Sequence, residues 1–337
     1  MATIKDVARL AGVAISTASA AINRSAPVSE DVIAKVTEAV KVLGYVPHGG
    51  AQSLRSGQSR LIGLIVPSIT NPHFAQVARI IENVCLAAGY LSMVFSTGQD
   101  SERENQILRL LRRQRVAGLI IIPTRSDAAH GRRLKDEIHV PTVLLDMFVE
   151  GLAYDVVKLD NVAATRLATE HLIGLGHRRI AVLTGIAGLA TSADRLTGYL
   201  EAHRRAGLEV DPALLLPGDY EQGVARTSVA GAMRAPAPPT ALLSISNMMT
   251  LGALHALHDL GLRAPRDVSL LGIDDFDFAE LLDPPLTVVR VPLAAMAERA
   301  IALMLELIAG RRQPSGDTEL FTAELVIRGS TAAPPPH

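Results

Sequence analysis

The chain has no tryptophan, a single cysteine and only 3% aromatic residues among its 337 residues. A lone cysteine, Cys85, excludes an intramolecular disulfide and a cysteine-cluster metal site. A core so poor in aromatics must be built from alanine, valine, leucine and isoleucine. Apolar runs such as Leu119–Pro123 are too short to span a bilayer, and residues 1–23 lack the apolar stretch of a secretory signal. We therefore expect a folded, cytoplasmic protein with no membrane partner.

The chain also lacks an excess of either charge, because 33 Lys and Arg face 34 Asp and Glu. This balance excludes a polybasic protein that binds polyanions over its whole surface. The charge is unevenly distributed, however. Residues 1–60 carry seven basic and four acidic side chains, a net of +3, which leaves 26 basic and 30 acidic groups, a net of −4, for the rest. A basic head on an acidic body indicates that the head contacts a polyanion.

Catalytic motifs are missing as well: the sequence has no phosphate-binding loop, no Gly-x-Gly-x-x-Gly and no Gly-x-Ser-x-Gly. His255 and His258, with Asp259, have a spacing that could hold a metal, but a solvated helix face is the ordinary explanation for it. Cys85 lies on an apolar helical stripe that is typical of a packed core. We expect no enzymatic activity, no metal and no cofactor.

Residues 1–45 have the pattern of three short helices. Thr3 and Asp6 have the spacing of a capping box, and Gly12 can adopt the positive φ of a tight turn. A second short helix ends at Asn23, and a third begins after a Ser29 cap. This is the arrangement by which a helix-turn-helix presents a helix to the major groove of DNA. The pattern alone leaves open an ordinary three-helix bundle.

A set of ordered motifs decides between these two interpretations. They are the run Thr3–Val13, Ser16-Thr17-Ala18-Ser19, Asn23, Val28-Ser29, Leu43–Pro47 and Ser53–Gly57. In this order they closely resemble the head of the LacI/GalR family of bacterial transcription regulators. The resemblance implies a helix-turn-helix DNA-binding domain over residues 1–46 and a hinge helix or linker over residues 47–60. It also implies an effector-responsive regulator, expected to be a repressor, that binds a pseudo-palindromic operator in double-stranded DNA as a homodimer.

The resemblance also assigns DNA contacts. The residues concerned are Thr3, Ile15, Ser16, Thr17, Ser19, Ala20, Asn23, Tyr45, Ala51, Leu54 and Arg55. Ile15, Ser16 and Ala20 match positions that face base edges, and Leu54 matches a leucine that wedges between base pairs in the minor groove. Many members have Arg or His where this chain has Ala20, and alanine offers only a methyl contact, for instance to thymine.

From residue 61 onward, short apolar strands alternate with amphipathic helices, a rhythm that favours an α/β fold with parallel sheets. The number of strands is too large for one small sheet, so we expect two doubly wound lobes. The resemblance implies a core like that of periplasmic sugar-binding proteins over residues 61–331. It places residues 61–160 and 287–318 in lobe one, 161–286 and 319–331 in lobe two, with crossings near Asp160, Pro285 and Thr318. Residues 332–337 are expected to be a frayed tail.

In such folds ligands bind at the carboxyl ends of strands, in the cleft between the lobes. Residues at those ends match the family's effector pocket: Asn71, His73, Phe74, Asp146, Arg195, Tyr220, Asn247, Asp274 and Phe276. Their carboxylate, amide and guanidinium groups suit a sugar or sugar derivative. Met147 and Met248 replace polar residues common in the family, which favours a less hydroxylated effector. Asp or Asn at a strand end is also an ordinary cap for the next helix.

The alternative function is a sugar- or solute-binding protein of the same core fold without DNA regulation. The helical head and the missing export signal favour the regulator. We accordingly expect a cytoplasmic protein associated with the nucleoid.

Overall fold

The computed structural model describes residues 2–24, 26–45 and 59–335. The chain divides into two compact units, residues 1–59 and residues 60–337. Each unit has its own hydrophobic cluster, as expected for parts with independent cores.

The described part of the first unit consists of α1 (Ile4–Ala11), α2 (Ile15–Asn23) and α3 (Glu30–Leu43). Thr3 fixes the start of α1, because its hydroxyl and its backbone N–H donate to Asp6 Oδ2 at 2.7 and 2.9 Å. Gly12 ends α1 with a φ of 66°, where a residue with a β-carbon would be strained. Ala8 and Ala18 are buried between the helices and let them pack closely. The predicted helical head is confirmed.

The second unit alternates strands and helices. Its strands are β1 (Leu61–Val66), β2 (Leu91–Ser96), β3 (Gly118–Ile121), β4 (Thr142–Leu145), β5 (Asp155–Leu159), β6 (Ile180–Thr184), β7 (Leu215–Pro217), β8 (Ala241–Ser244), β9 (Ser269–Ile273), β10 (Thr287–Arg290), β11 (Thr318–Phe321) and β12 (Glu324–Val326). Its helices are α4 (Pro72–Ala87), α5 (Ser101–Arg113), α6 (Ala128–Glu137), α7 (Asn161–Gly174), α8 (Ala190–Arg205), α9 (Gln222–Met233), α10 (Asn247–Asp259) and α11 (Leu293–Ile308). A short 3-10 turn, Pro212–Leu214, precedes β7.

Within residues 59–335 the strands form two six-stranded sheets, one in each lobe. Their orders are β11-β5-β4-β3-β1-β2 and β12-β10-β9-β8-β6-β7. All pairings are parallel except that β12 runs antiparallel to β10. The central strands β3, β4, β8 and β9 are buried along their whole length, as in parallel sheets covered by helices on both faces. The predicted fold of two doubly wound lobes is confirmed.

The crossings between the lobes differ from the expected ones at two places. Thr287–Val289 pairs with Leu271–Ile273 in the second sheet, so the strand we assigned to lobe one belongs to lobe two. Thr318–Phe321 pairs with Val156–Leu159 in the first sheet, so the next crossing also comes later than Thr318. A crossing was expected near Pro285, but Pro284 and Pro285 only end the loop before β10. Pro292, which has no N–H to donate to a strand ladder, follows β10 instead. The helix after it, α11, packs on the first sheet.

The expectation of a frayed tail is wrong for Ala332. Its N–H donates to Ser269 Oγ at 3.0 Å, and its carbonyl oxygen accepts from His177 Nε2 at 2.8 Å. Pro334 lies against Gly176. Burial lowers the pKa of His177, so the ring is neutral and donates one hydrogen bond to the tail. Residues 336–337 lie outside the described residues.

Cys85 is fully buried on α4 against the first sheet, and burial raises the pKa of its thiol to about 11. A thiol with so high a pKa is an inert packing group, which agrees with the core assignment. In the part of the chain that the structure describes, every helix is too short or too polar to cross a lipid bilayer.

Candidate functional site

Strained backbone marks one place between the two lobes. Among the described residues, four of the seven non-glycine residues with positive φ line a single cavity: Gln99, Asp146, Tyr220 and Asp274, with φ values of 62°, 73°, 57° and 78°. Each of them follows the carboxyl end of a strand. Side chains with a β-carbon rarely adopt this conformation, and such strain is concentrated at functional sites. The carboxyl edges of the two sheets therefore meet at a candidate binding site.

The cavity brings together most of the residues predicted from the sequence. It is lined by Pro67, Asn71, His73, Phe74, Gln99, Ile122, Asp146, Met147, Leu189, Thr191, Arg195, Tyr220, Ser246 and Asp274. Its volume is about 60 Å³. That volume is far below the hundreds of Å³ of a ligand pocket. The cleft is therefore closed in this conformation.

Direct bonds between the lobes hold the cleft closed. Asn247 Nδ2, at the start of α10 in lobe two, donates to Asn71 Oδ1 in lobe one at 3.0 Å. His73 Nδ1, in the first turn of α4, lies 3.2 Å from Asp274 Oδ1 at the end of β9. The side chains of His73 and Asp274 are only 10% and 6% exposed. These two pairs, which we call the latch, occupy the space that a ligand would need.

The His73–Asp274 half of the latch is held by opposite charges. Burial lowers the pKa of His73, but the charges of Asp274 and Asp146 outweigh burial and hold its pKa above the ordinary value of 6.5. Arg195 opposes this rise. Burial raises the pKa of Asp274, yet His73, Arg195 and the backbone N–H of Asn247 together hold it below 3.8. The pair therefore favours the charged form of each group, with His73 as the cation and Asp274 as the anion.

Arg195 is fixed by buried acceptors of its own lobe. Its Nε donates to Asn161 Oδ1 at 2.7 Å, and its guanidinium also donates to the Ile245 carbonyl oxygen. It is 5% exposed, and burial is outweighed by nearby Tyr220 and Asp274, which raise its pKa. A guanidinium held in this way presents a fixed donor to the cavity.

The opposite rim of the cleft is bridged by one neutral side chain, Ser126, and by one ion pair, Lys158–Asp194. Ser126, in the loop after β3 of lobe one, donates from Oγ to the Gly188 carbonyl oxygen at 3.1 Å and accepts from the Ala190 N–H at 2.9 Å. Both partners lie at the start of α8 in lobe two. A further bridge joins Lys158 Nζ of β5 to Asp194 Oδ2 of α8 at 2.8 Å. The lobes are thus bonded to each other on both sides of the cavity.

Several cavity residues escaped the sequence analysis, chiefly Gln99, Leu189 and Thr191, whereas Met147 had been noted near the cleft. Gln99 carries most interest, because its Oε1 is buried and has no hydrogen-bond partner among the described residues. The same holds for Asn247 Oδ1. Such orphaned acceptors call for a donor, which a ligand with hydroxyl or amino groups supplies. Gln99 follows β2, so the strand-end rule could have found it.

Two predicted pocket residues do not line the cavity. Asn247 reaches it only through its bond to Asn71. Phe276 lies instead beside a groove of about 590 Å³ that shares Asp274 with the cavity. Its ring is 7% exposed and packs 4.4 Å from that of Phe278. Phe276 is therefore mainly a packing residue in the closed state.

The predicted DNA contacts of α2 are distributed over its surface. Ile15 is 41% exposed, Ser16 is exposed, and Thr17 and Ala20 are partly exposed. Ser19 is only 8% exposed, so it faces the other helices rather than solvent. The exposed Asn23 donates from Nδ2 to the Ser19 carbonyl oxygen at 2.9 Å.

The remaining predicted DNA contacts fall outside α2. The hydroxyl hydrogen of Thr3 is engaged by Asp6, and Tyr45 packs against the core of the head. Ala51, Leu54 and Arg55 lie outside the described residues.

Both parts of the chain match models of known protein families. Residues 3–48 match the model of "Bacterial regulatory proteins, lacI family", and residues 169–331 match that of a periplasmic binding protein-like domain. The ribose operon repressor of Escherichia coli (strain K12) is 34% identical over 332 residues, which cover 98% of this chain and 100% of the relative. The chain belongs to the lacI family of bacterial regulatory proteins.

Solved structures of other lacI-family members agree over almost the whole chain. The lac repressor dimer bound to operator and the anti-inducer ONPF has a TM-score of 0.85 at 28% identity, covering 98% of this chain and 99% of the other. The CelR–cellobiose complex has a TM-score of 0.72 at 29% identity, covering 98% and 100%.

Family membership settles the choice between the two functions considered from the sequence. The chain is an effector-responsive, DNA-binding transcriptional regulator, because the match to the repressors includes the head as well as the core. The relatives are transcriptional repressors rather than enzymes, so the expectation of a non-enzymatic protein is confirmed.

Proposed function

We propose that this lacI-family regulator represses transcription by binding a pseudo-palindromic operator as a homodimer, and that a sugar-like small molecule in the inter-lobe cleft sets its affinity for DNA. The names of the relatives support this proposal: one is a ribose operon repressor, and others were solved with operator DNA or with cellobiose. We also propose that the protein acts in the cytoplasm at the nucleoid.

The observation that carries the effector part of the proposal is the chemistry of the cavity wall. Gln99 Oε1 is a wall acceptor without a partner among the described residues, and Asp146 adds a carboxylate. Asn247 Oδ1, also without a partner there, adjoins the wall through the bond of Asn247 to Asn71. Arg195 and His73 supply donors. A polyhydroxy compound both donates and accepts, so it satisfies every one of these groups. Phe74 supplies an apolar wall for the carbon skeleton.

The small volume of the cavity implies how the effector acts. A sugar cannot enter about 60 Å³ without moving the lobes apart and breaking the latch. We expect effector binding to exchange the His73–Asp274 and Asn71–Asn247 bonds for bonds to ligand hydroxyls, at a different angle between the lobes. A change of this kind couples to DNA binding with a free energy that is typically about 1–3 kcal/mol and is reciprocal between the two ligands.

The DNA part of the proposal keeps the residues predicted from the sequence as the contact set. They are Thr3, Ile15, Ser16, Thr17, Ser19, Ala20, Asn23, Tyr45, Ala51, Leu54 and Arg55. Hydroxyl and amide groups near the start of a helix suit phosphate oxygens and set the register on the duplex. Two heads of a dimer then contact half-sites about one helical turn apart.

Calorimetry with D-ribose and cellobiose, together with a wider panel of pentoses and hexoses, tests the effector assignment. We expect at least one sugar to bind the wild-type protein and to shift its operator affinity in a band-shift assay. Asp274→Ala should abolish that response, whereas Asp277→Ala, an exposed carboxylate three residues on, should retain it. A panel in which no sugar binds, or in which a bound sugar leaves DNA affinity unchanged, contradicts the proposal.

A further inference from the structure

The exposed side of α2 carries unusual chemistry for a helix that faces DNA. Residues 14–22 read Ala-Ile-Ser-Thr-Ala-Ser-Ala-Ala-Ile and contain no Arg, Lys, Asn, Gln, Asp or Glu. Ala18, Ser19 and Ala21 are buried against α1 and α3. The exposed surface of α2 is therefore formed by the side chains of Ile15 and Ala20, by the hydroxyls of Ser16 and Thr17, and at its end by Ile22 and Asn23.

The first amide side chain on α2 comes at its end and is already engaged. Asn23 Nδ2 donates to the Ser19 carbonyl oxygen at 2.9 Å and approaches Ser19 Oγ at 3.3 Å. Two-pronged recognition of guanine requires Arg or Lys, and that of adenine requires Asn or Gln with a free amide edge. The exposed face of α2 thus lacks the groups by which purines are most often identified in the major groove.

This face can read one feature of the major groove well. Thymine is the base that presents a methyl group there, and apolar side chains contact it. Ile15 leaves 41% of a large aliphatic side chain in solvent, a cost that contact with an apolar group on DNA would remove. We propose that Ile15 and Ala20 are specificity-determining residues that select half-sites by the C5-methyl groups of thymines. This inference rests on the proposed function, because it takes α2 as the helix that enters the groove.

The spacing of the two side chains adds a geometric expectation. Five residues separate Ile15 from Ala20, which is about 7.5 Å along a helix axis at 1.5 Å per residue. Base pairs are about 3.4 Å apart, so the axial separation corresponds to roughly two steps. At about 100° per residue the two side chains also point about 140° apart around the axis, so they contact different sides of the groove. The half-site should contain two thymines at about that separation, on either strand.

The experiment selects binding sites from a randomised duplex DNA pool with the full-length protein. Each thymine of the enriched half-site is then replaced by uracil, which lacks only the C5-methyl and pairs identically. We expect affinity to fall about fourfold for each contacted methyl removed, the equivalent of about 0.8 kcal/mol per buried carbon. Uracil placed between the half-sites controls for changes in DNA stiffness and should have no such effect.

Variants of the protein assign the readout to named residues. Ile15→Ala should reduce the preference for thymine over uracil at one position of the half-site and leave the other unchanged. Val42→Ala is the matched control, because Val42 is a 65% exposed aliphatic residue on α3 of the same head. Ala20→Arg should move the preference at its position toward guanine.

The outcomes separate this inference from the proposed function. Enriched sites whose uracil versions bind as tightly as their thymine versions overturn the methyl readout and leave the regulator intact. A full thymine preference in Ile15→Ala overturns the role of Ile15. A selection that enriches no sequence overturns both proposals.

Discussion

The cleft gathers His73, Asp146, Arg195 and Asp274 around one small cavity, whereas residues 14–22 of the head contain no ionisable side chain. In the cleft, charges interact through a medium of low polarity, so each of them matters individually. Among residues 14–22 the exposed groups are methyls and hydroxyls, each of which makes only weak contacts. Under the proposed function, the chain therefore distinguishes a small ligand by a few strong bonds and a long polymer by many weak contacts.

Of the changes that test this difference between cleft and head, removing one member of the buried ion pair should cause the largest loss of stability. Asp274→Ala removes the carboxylate that faces His73, and loss of one partner from a buried pair costs about 3–5 kcal/mol. We expect a corresponding fall in the free energy of unfolding, measured by chemical denaturation. Asp277→Ala, whose carboxylate is exposed, should change it little. Equal effects of the two variants would contradict the contrast between cleft and surface.

The pH dependence of the latch should be the next largest effect. Because the pKa of His73 is raised, its contribution to stability is complete below its ordinary pKa of 6.5 and is lost as the pH rises through the raised value. Because the pKa of Asp274 is lowered, its contribution is present above 3.8 and is lost as the pH falls through the lowered value. The latch is therefore strongest between these limits.

Thermal unfolding of wild type and His73→Gln checks this dependence. The difference in Tm should be largest between pH 3.8 and 6.5 and should shrink as the pH rises through the raised pKa of His73. His258→Gln is the control, because His258 is 90% exposed. A Tm difference that stays constant over this range would show that His73 is held by packing rather than by charge.

The stability of the head should depend on backbone conformation rather than on charge. Gly12→Ala places a β-carbon at a φ of 66° with no neighbouring atom within 4 Å, so only backbone strain of about 1–2 kcal/mol results. Hydrogen exchange should become faster in α1 and α2 and stay unchanged in the core. Gly223→Ala, in α9 and equally uncrowded, should not destabilise its helix. Unchanged exchange in the head of Gly12→Ala would show that its turn tolerates a side chain.

The smallest expected effect concerns the neutral bridge at the other rim. Ser126→Ala removes the hydroxyl that joins Gly188 and Ala190 across the cleft, and a neutral hydrogen bond contributes about 1 kcal/mol. We expect a small loss of stability and no change in its pH dependence. Thr227→Ala, whose hydroxyl bonds only to Gly223 of its own helix at 3.1 Å, is the control. A loss as large as that of Asp274→Ala would remove the distinction between charged and neutral bridges.

Local chemistry could be read from the sequence because it depends on neighbours along the chain. The capping of α1 by Thr3 and Asp6, the buried stripe around Cys85 and the strand ends at Asp146 and Asp274 all follow from spacing and residue type. Pairings between distant segments could not be read in this way. The residue types of an apolar strand such as β10 suit either sheet. The place where the chain crosses, after Arg290, therefore depends on which neighbouring strand β10 pairs with more stably.

The closed state of the cleft was equally hidden in the sequence. The residue types predict groups that bind a ligand, and the structure shows several of them bonded to one another. Which donor meets which acceptor depends on the angle between the lobes, a property of the whole core. Gln99 follows the end of β2 and was detectable from the sequence, whereas its backbone strain required coordinates.

The order of the strands has a consequence for biosynthesis. β11 supplies one edge of the first sheet, β12 supplies one edge of the second, and Ala332 is bonded to β9. Neither lobe can be completed until the ribosome has translated beyond residue 317, although most of each lobe has been made long before. Both half-built sheets must then wait with an unpaired edge, which is the kind of surface that chaperones protect. A premature stop codon near residue 317 should consequently damage the two lobes together rather than one of them.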